Sequence, residues 1–305
     1  MEILEIRDLH KRFGSHEVLS GLNMVIPEHT IFGFVGQNGA GKTTTMKIVL
    51  GLLRPDGGEV TVCGQRVSYG GTRSNRCVGY LPDVPEFYGY MTPVEYLKLC
   101  GEITGLESGR IRARGRELLD LVGLAGDKKR IGGFSRGMKQ RLGIAQALLN
   151  EPRLLICDEP TSALDPIGRK EVLDILSAVR EKTTVVFSTH ILTDVERICD
   201  HVALLHGGKL ALCGTLSEIR GSYRCSGFRI EFRNPEDARM FSECGELKSP
   251  GTTVSAEGAV LTIESPEEGA KGKVLIRLLA EKQMVPLHFE ILEPSLESIF
   301  AEAVV

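Results

Sequence analysis

The chain has 305 residues, 42% of them hydrophobic and 25% charged, with a formal net charge of -3. That length suits a full core and two domains, and the composition excludes disordered and fibrous classes. The mildly negative charge gives no reason to expect nucleic acid as the main partner.

No run approaches the ~18 uncharged apolar residues that span a bilayer. The start, Met1-Glu2-Ile3-Leu4-Glu5-Ile6-Arg7, is charged from its second residue and does not read as a signal peptide. Eight cysteines (Cys63, Cys77, Cys100, Cys157, Cys199, Cys213, Cys225 and Cys244) show no CxxC or Cys/His pairing. They read as reduced, mostly buried thiols of a cytosolic protein, with no metal-thiolate site. Glycine is in excess, 35 residues where ~7% is usual, so turns or close backbone approaches are numerous.

In chain order, Ile31-Phe32-Gly33-Phe34-Val35 is a short apolar run of the kind that forms a buried strand, and Met46 to Leu53 reads as helix. Pro93 to Gly105, Arg110 to Leu121 and Met138 to Asn150 are helical, which makes a mostly helical insertion at about 84–150. Within it Arg110, Arg112, Arg114 and Arg116 read as a solvated helix face. Arg153 to Asp158 and Thr183 to Ser188 are apolar strands on either side of a helix from Ile167 to Glu181. Strands and helices alternating at this spacing imply a parallel sheet covered by helices.

After Gly221 the texture changes. A strand from Phe228, a helix from Pro235 to Cys244 and a hairpin about Glu257-Gly258 are followed by a helix from Gly269 to Gln283 and a strand from Pro286 to Leu292. The order β-α-β-β-α-β is that of a small ferredoxin-like α+β sandwich, closed by a helix from Ser295 to Ala303. Residues 221–305 hold nine basic and fourteen acidic residues, against 28 and 26 in residues 1–220. Two domains are expected, divided there.

Two patterns carry chemistry. Gly36-Gln37-Asn38-Gly39-Ala40-Gly41-Lys42-Thr43 fits G-x-x-x-x-G-K-[ST] between a strand and a helix. Glycines let backbone N–H groups wrap phosphates and the helix N-terminus adds partial positive charge. Lys42 is placed to reach the β- and γ-phosphates, and the Thr43 hydroxyl to ligate Mg²⁺. The second pattern, Leu154-Leu155-Ile156-Cys157-Asp158-Glu159-Pro160, puts two carboxylates at the C-terminal end of a strand, where phosphates lie in open α/β sheets. Asp158 is expected to hold Mg²⁺ and Glu159 to polarise the attacking water.

With these in place the chain resembles the ATP-binding cassette (ABC) ATPases: a P-loop NTPase fold of α/β class with a helical subdomain. Phe134-Ser135-Arg136-Gly137-Met138 is similar to the family's LSGGQ signature, with Arg136 and Met138 in place of Gly and Gln. The resemblance implies that Ser135 and Gly137 receive the γ-phosphate of ATP held by a second subunit, hence a head-to-tail homodimer sharing two sites. It makes Ser162-Ala163-Leu164-Asp165 the D-loop at that interface, His190 the switch histidine on the γ-phosphate, and Phe13 the aromatic that stacks on adenine. It completes the nucleotide-binding set with Asn38, Ala40 and Thr44. The family's Q-loop glutamine corresponds here to Asp83, a shorter and charged residue, carried over as a possible Mg²⁺ ligand. His10, His16, His29, His201, His206 and His288 receive no role.

The closing stretch Glu293-Pro294-Ser295-Leu296-Glu297-Ser298-Ile299-Phe300 resembles the last helix of type-2 exporter ATPases. For residues 222–305, a dimer-stabilising appendage and a regulatory domain are both open. The expected function is ATP hydrolysis driving transport, and export by resemblance, through a separate membrane permease received between Asp83 and Gly133. The chain would then sit on the cytoplasmic face of the membrane. The alternative is a soluble ABC protein acting on ribosomes or nucleic acid, but such proteins carry paired cassettes with charged linkers or long coiled-coil insertions that this sequence lacks. A P-loop kinase leaves the signature and D-loop unexplained.

Overall fold

The computed structural model describes residues 2–222, 227–247, 252–264, 268–292 and 295–304. They fall into two compact units, Met1–Leu216 and Ser217–Val305.

The first unit opens with β1 (Glu2–Phe13) and β2 (His16–Pro27), followed by β3 (Ile31–Val35), α1 (Lys42–Val49), β4 (Gly57–Val62), β5 (Gln65–Arg66) and β6 (Val78–Leu81). Three helices come next, α2 (Pro93–Ile103), α3 (Ser108–Leu121) and α4 (Arg136–Leu148). The unit then runs through β7 (Leu154–Asp158), α5 (Pro166–Val179), β8 (Thr184–Thr189), α6 (Leu192–Ile198), β9 (His201–His206) and β10 (Lys209–Thr215), and α7 (Leu216–Ser222) follows.

Two sheets result. One has the order β10-β9-β3-β8-β7-β6, with every pair parallel except β10 on β9. Every residue of β3, β7 and β8 is buried, as expected of strands covered on both faces. The other sheet, β2-β1-β4-β5, is antiparallel throughout. The sequence reading of a parallel sheet left this second one out. Its polar outer face breaks the apolar runs, and register shifts near Ile6 and Leu9 interrupt the alternation in β1. The signal was still there: Leu22, Met24 and Ile26 alternate inward along β2. Those residues share one core with Phe32, Phe34 and Ile156 of the parallel sheet and with Met46 and Ile48 of α1, so the two sheets and α1 bury one another's apolar faces.

Local chemistry sets the helix bounds. The first helix starts at Lys42, four residues before the predicted start, because the phosphate loop turns directly into it. It stops at Val49, short of Leu53. Thr92 and Glu95 form a reciprocal capping box at the start of α2, with Pro93 in its first turn. In the arginine stretch on α3, Arg110, Arg112 and Arg116 are exposed and Arg114 is half-buried. Arg110 pairs with Glu151, and Arg114 pairs with Glu117 at 2.7 Å and donates to the Leu148 carbonyl at 3.3 Å. Positions four apart share a helix face, so 110 and 114 both reach residues at 148–151, but only Arg114 is half-buried.

The second unit holds β11 (Gly227–Glu231), α8 (Pro235–Ser242), β12 (Thr253–Glu257), β13 (Val260–Glu264), α9 (Glu268–Glu281), β14 (His288–Leu292) and α10 (Leu296–Ala303). Its sheet has the order β12-β13-β11-β14 with all neighbours antiparallel, the arrangement of a split β-α-β sandwich. Phe228, Ile230, Phe241, Leu261, Ile263 and Leu275 make its own core. Among the described residues seven cysteines are free, Cys225 lying outside them. No helix among those residues is long and apolar enough to cross a membrane.

Candidate nucleotide-binding site

β3 feeds the loop at 36–41, and α1 begins at Lys42, so the first N–H groups of that helix have no intrahelical acceptor and face the loop mouth. Two glycines are obligatory here. A Cβ at Gly36 would lie 2.6 Å from the Leu205 carbonyl oxygen, and Gly41 holds φ +110 against Leu19 and Val18. Lys42 is buried, and its Nζ donates to the carbonyl oxygens of Gly36 at 2.6 Å and Gln37 at 3.3 Å. Asn38, Gly39 and Thr43 are exposed, while Ala40 and Thr44 are half-buried.

The acidic groups arrive at the end of β7, separated from β3 by β8, at the same C-terminal edge of the sheet. Asp158 ends β7, is 4% exposed, and accepts a 2.6 Å hydrogen bond from Ser188 Oγ on β8. Ser188 also receives the Glu159 N–H, on Oγ at 3.0 Å and on its carbonyl at 3.2 Å. Glu159 adopts a left-handed φ of +48, an uncommon conformation for a residue with a side chain. Its carboxylate bridges two groups: Oε1 lies 3.3 Å from Lys42 Nζ, and Oε2 lies 3.0 Å from His190 Nδ1. One buried carboxylate is thereby set between a phosphate-binding cation and an imidazole. Burial and the Asp158 charge push the neighbouring Tyr80 phenol up to about 12, which keeps it neutral.

The structure therefore brings Lys42, Asp158, Glu159 and His190 together. Outside the phosphate loop, the other sequence-predicted residues have their partners elsewhere. Ser135 is exposed and caps α4, its Oγ accepting from the Met138 N–H at 3.2 Å. Gly137 is half-buried, with Leu164 alongside. Asp165 caps α5, accepting from the Gly168 N–H at 2.9 Å. Asp83 follows β6 and turns toward Arg136, with Oδ1 3.6 Å from Nη2. Both residues depart from the family pattern, and no local pattern signals that they face each other. Phe13 ends β1, is 51% exposed, and carries Lys11 Nζ 5.2 Å above its ring. Ser188 escaped the sequence reading, although its place at the end of a strand parallel to the one carrying Asp158 was a usable signal.

Known proteins similar to this chain point to one family. Residues 19–162 match the family described as ABC transporter, and residues 214–304 match the C-terminal domain of the DrrA1-3-like ATP-binding proteins. The uncharacterized ABC transporter ATP-binding protein YxlF of Bacillus subtilis is 35% identical over 99% of both chains. The bacitracin transport ATP-binding protein BcrA of Bacillus licheniformis is 42% identical over 68% of each. A solved ATP-binding subunit of an ABC transporter superposes with a TM-score of 0.66 at 34% identity, covering 72% of this chain and 92% of that one. The chain belongs to the family of ABC transporter ATP-binding proteins.

Proposed function

We propose that this chain is the ATP-hydrolysing subunit of a transporter whose membrane-spanning permease is a separate polypeptide, and that it drives export. The observation that carries the reading is the Glu159 carboxylate held between Lys42 and His190 at the mouth of the phosphate loop. In this role the loop N–H groups and Lys42 bind the β- and γ-phosphates. Glu159 accepts a proton from the attacking water, and His190 orients that carboxylate and contacts the γ-phosphate.

Mg²⁺ fits the available donors. The Thr43 hydroxyl and the Asp158 carboxylate are hard oxygens suited to a small divalent cation. In this role phosphate oxygens would supply further ligands. The ion would neutralise charge on the transferring phosphoryl group. Asp83 is a further candidate ligand, and reaching the ion means leaving Arg136.

Ser135 and Gly137, at the N-terminus of α4, are assigned to the γ-phosphate bound by a second copy of the chain. Two copies packed head to tail then share two sites, with the loop of Asp165 between them. A cavity of about 480 Å³, lined by Asp83, Val84, Phe87, Gly132, Arg136 and Gln140, is where cytoplasmic helices of the permease would dock. Tyr88 and Tyr90 are exposed beside it. This places the chain on the cytoplasmic face of the membrane. A ribosomal or nucleic-acid role has no counterpart among the transporter proteins it is similar to.

The test is Glu159→Gln in the full chain. The variant should bind ATP, lose turnover and accumulate as an ATP-bound dimer on size-exclusion chromatography. Brisk hydrolysis by that variant would sink the general-base role.

A further inference from the structure

Asp194 is 3% exposed, and a carboxylate persists at such a depth when it is paired and hydrogen-bonded. Thr161 Oγ1 donates to its Oδ2 at 2.7 Å, and Arg169 Nη2 donates to its Oδ1 at 2.7 Å. The three residues come from three places in the chain. Thr161 lies two residues after Glu159 and just before the 162–165 loop, Arg169 is in the first turn of α5, and Asp194 is in the first turn of α6, four residues after His190. One carboxylate thus ties the segment that follows Glu159 to the segment that follows His190.

The backbone it holds is strained. Glu159 and Ala163, two residues to either side of Thr161, have φ of +48 and +52. Left-handed residues with side chains cost conformational energy and persist where the surroundings over-determine them. Turn bonds from Ser162 N–H to the Glu159 carbonyl at 3.1 Å and from Leu164 N–H to the Thr161 carbonyl at 3.3 Å are local to the loop. The Thr161 hydroxyl bond to Asp194 ties the middle of the strained segment to another element.

We propose that Asp194 is a positioning residue for ATP hydrolysis, clamping the Glu159 loop to the His190 loop through Thr161 and Arg169. The proposal rests on the hydrolytic reading above. With the clamp in place, Glu159 keeps its direction toward Lys42 and His190. With it cut, Thr161 loses its tie to α6, and the left-handed turn is held by the Glu159 N–H bonds to Ser188 and the local turn bonds. Nucleotide binding, which belongs to the phosphate loop, is not touched.

The experiment compares Asp194→Asn, Thr161→Val and Asp194→Glu in the full chain, with Glu159→Gln as the marker of hydrolysis. It measures kcat and KM for ATP with Mg²⁺, binding of a fluorescent ATP analogue, and the thermal midpoint. Asp194→Asn and Thr161→Val should each lower kcat roughly 10- to 100-fold, the penalty of misplacing a reacting group by about 1 Å. Analogue affinity should stay within about threefold of the unaltered chain. The double variant should lose less than the product of the two, because both cut one link, and Asp194→Glu should recover part of kcat. Unchanged kcat in folded Asp194→Asn and Thr161→Val overturns the clamp alone. So does a parallel loss of affinity, kcat and thermal midpoint, which would mark a brace of the whole unit. Undiminished turnover in Glu159→Gln overturns the hydrolytic reading itself, whatever the Asp194 variants do.

Discussion

The phosphate-loop edge and the signature segment are built on opposite plans. At the loop edge the functional groups are bound to one another around a buried centre: Lys42 is 6% and Asp158 4% exposed, and Glu159 touches both Lys42 and the exposed His190. At the signature Ser135 is exposed, and its hydroxyl does no more than cap α4. A preorganised cluster needs no second chain to take its geometry. An exposed helix N-terminus gains a phosphate partner only when something brings one to it. The catalytic cluster thus takes its geometry within one chain, whereas the role proposed for the signature depends on a second.

The largest effect should come from the buried half. Glu159→Gln preserves size and removes the proton acceptor, so turnover should fall by ~10²–10⁴-fold, the span of general-base contributions, with ATP binding retained. Measured ATPase rates within about tenfold of the unaltered chain would break the contrast at its stronger side, because that falls below the general-base range. Lys42→Ala should act on binding instead. Losing a charge-assisted contact of about 1.5–3 kcal/mol weakens ATP affinity by about one to two orders of magnitude, measured by equilibrium binding. Its thermal midpoint should also fall, because the buried Glu159 carboxylate loses its cation.

The exposed half is tested by Ser135→Asp. Aspartate caps helices as well as serine does, so α4 and the thermal midpoint should be unaffected. The added charge, however, faces the phosphate proposed to come from a second chain. Binding of ATP by the single chain should remain, while ATP-driven dimerisation and turnover are lost. If the variant dimerises normally, the signature is only a capped helix and the contrast disappears.

How much of this the sequence disclosed follows the same division. The phosphate loop and the Asp158-Glu159 pair are contiguous in sequence, and the chemistry of each is carried by residue type and spacing. The bridge from Glu159 to both Lys42 and His190 joins positions more than 30 residues apart, one at the start of α1 and two just past the ends of β7 and β8, so no local pattern encodes it. Ser188 was hidden inside an apolar strand for the same reason: its partner Asp158 is a sheet neighbour, not a chain neighbour. The second sheet was missed because one of its faces is polar, whereas the β-α-β-β-α-β order of residues 227–292 was legible, each of its elements being short and punctuated by Gly, Pro or Asn. The Asp83–Arg136 pair shows the limit most clearly, since each residue stood out alone as a departure and only the fold sets them against each other.

The smallest effect concerns Phe13, which belongs to neither half by contact. Its ring is half-exposed, with one face under Lys11, and Lys11 is itself anchored to Asp56 at 3.1 Å. The lysine leaves a flat apolar surface open at the end of β1, next to the strand whose Val18 and Leu19 abut the phosphate loop. Stacking of a base there is worth about 1 kcal/mol, so Phe13→Ala should weaken ATP binding about fivefold and leave turnover at saturating ATP unchanged. Affinity for inorganic triphosphate, which has no base to stack, should be the same in both chains. Because so much of the ring is exposed, the thermal midpoint should hold as well. Equal loss of ATP and triphosphate affinity would make Phe13 a support of the hairpin instead, and would draw the loop edge and its first strand into a single structural unit.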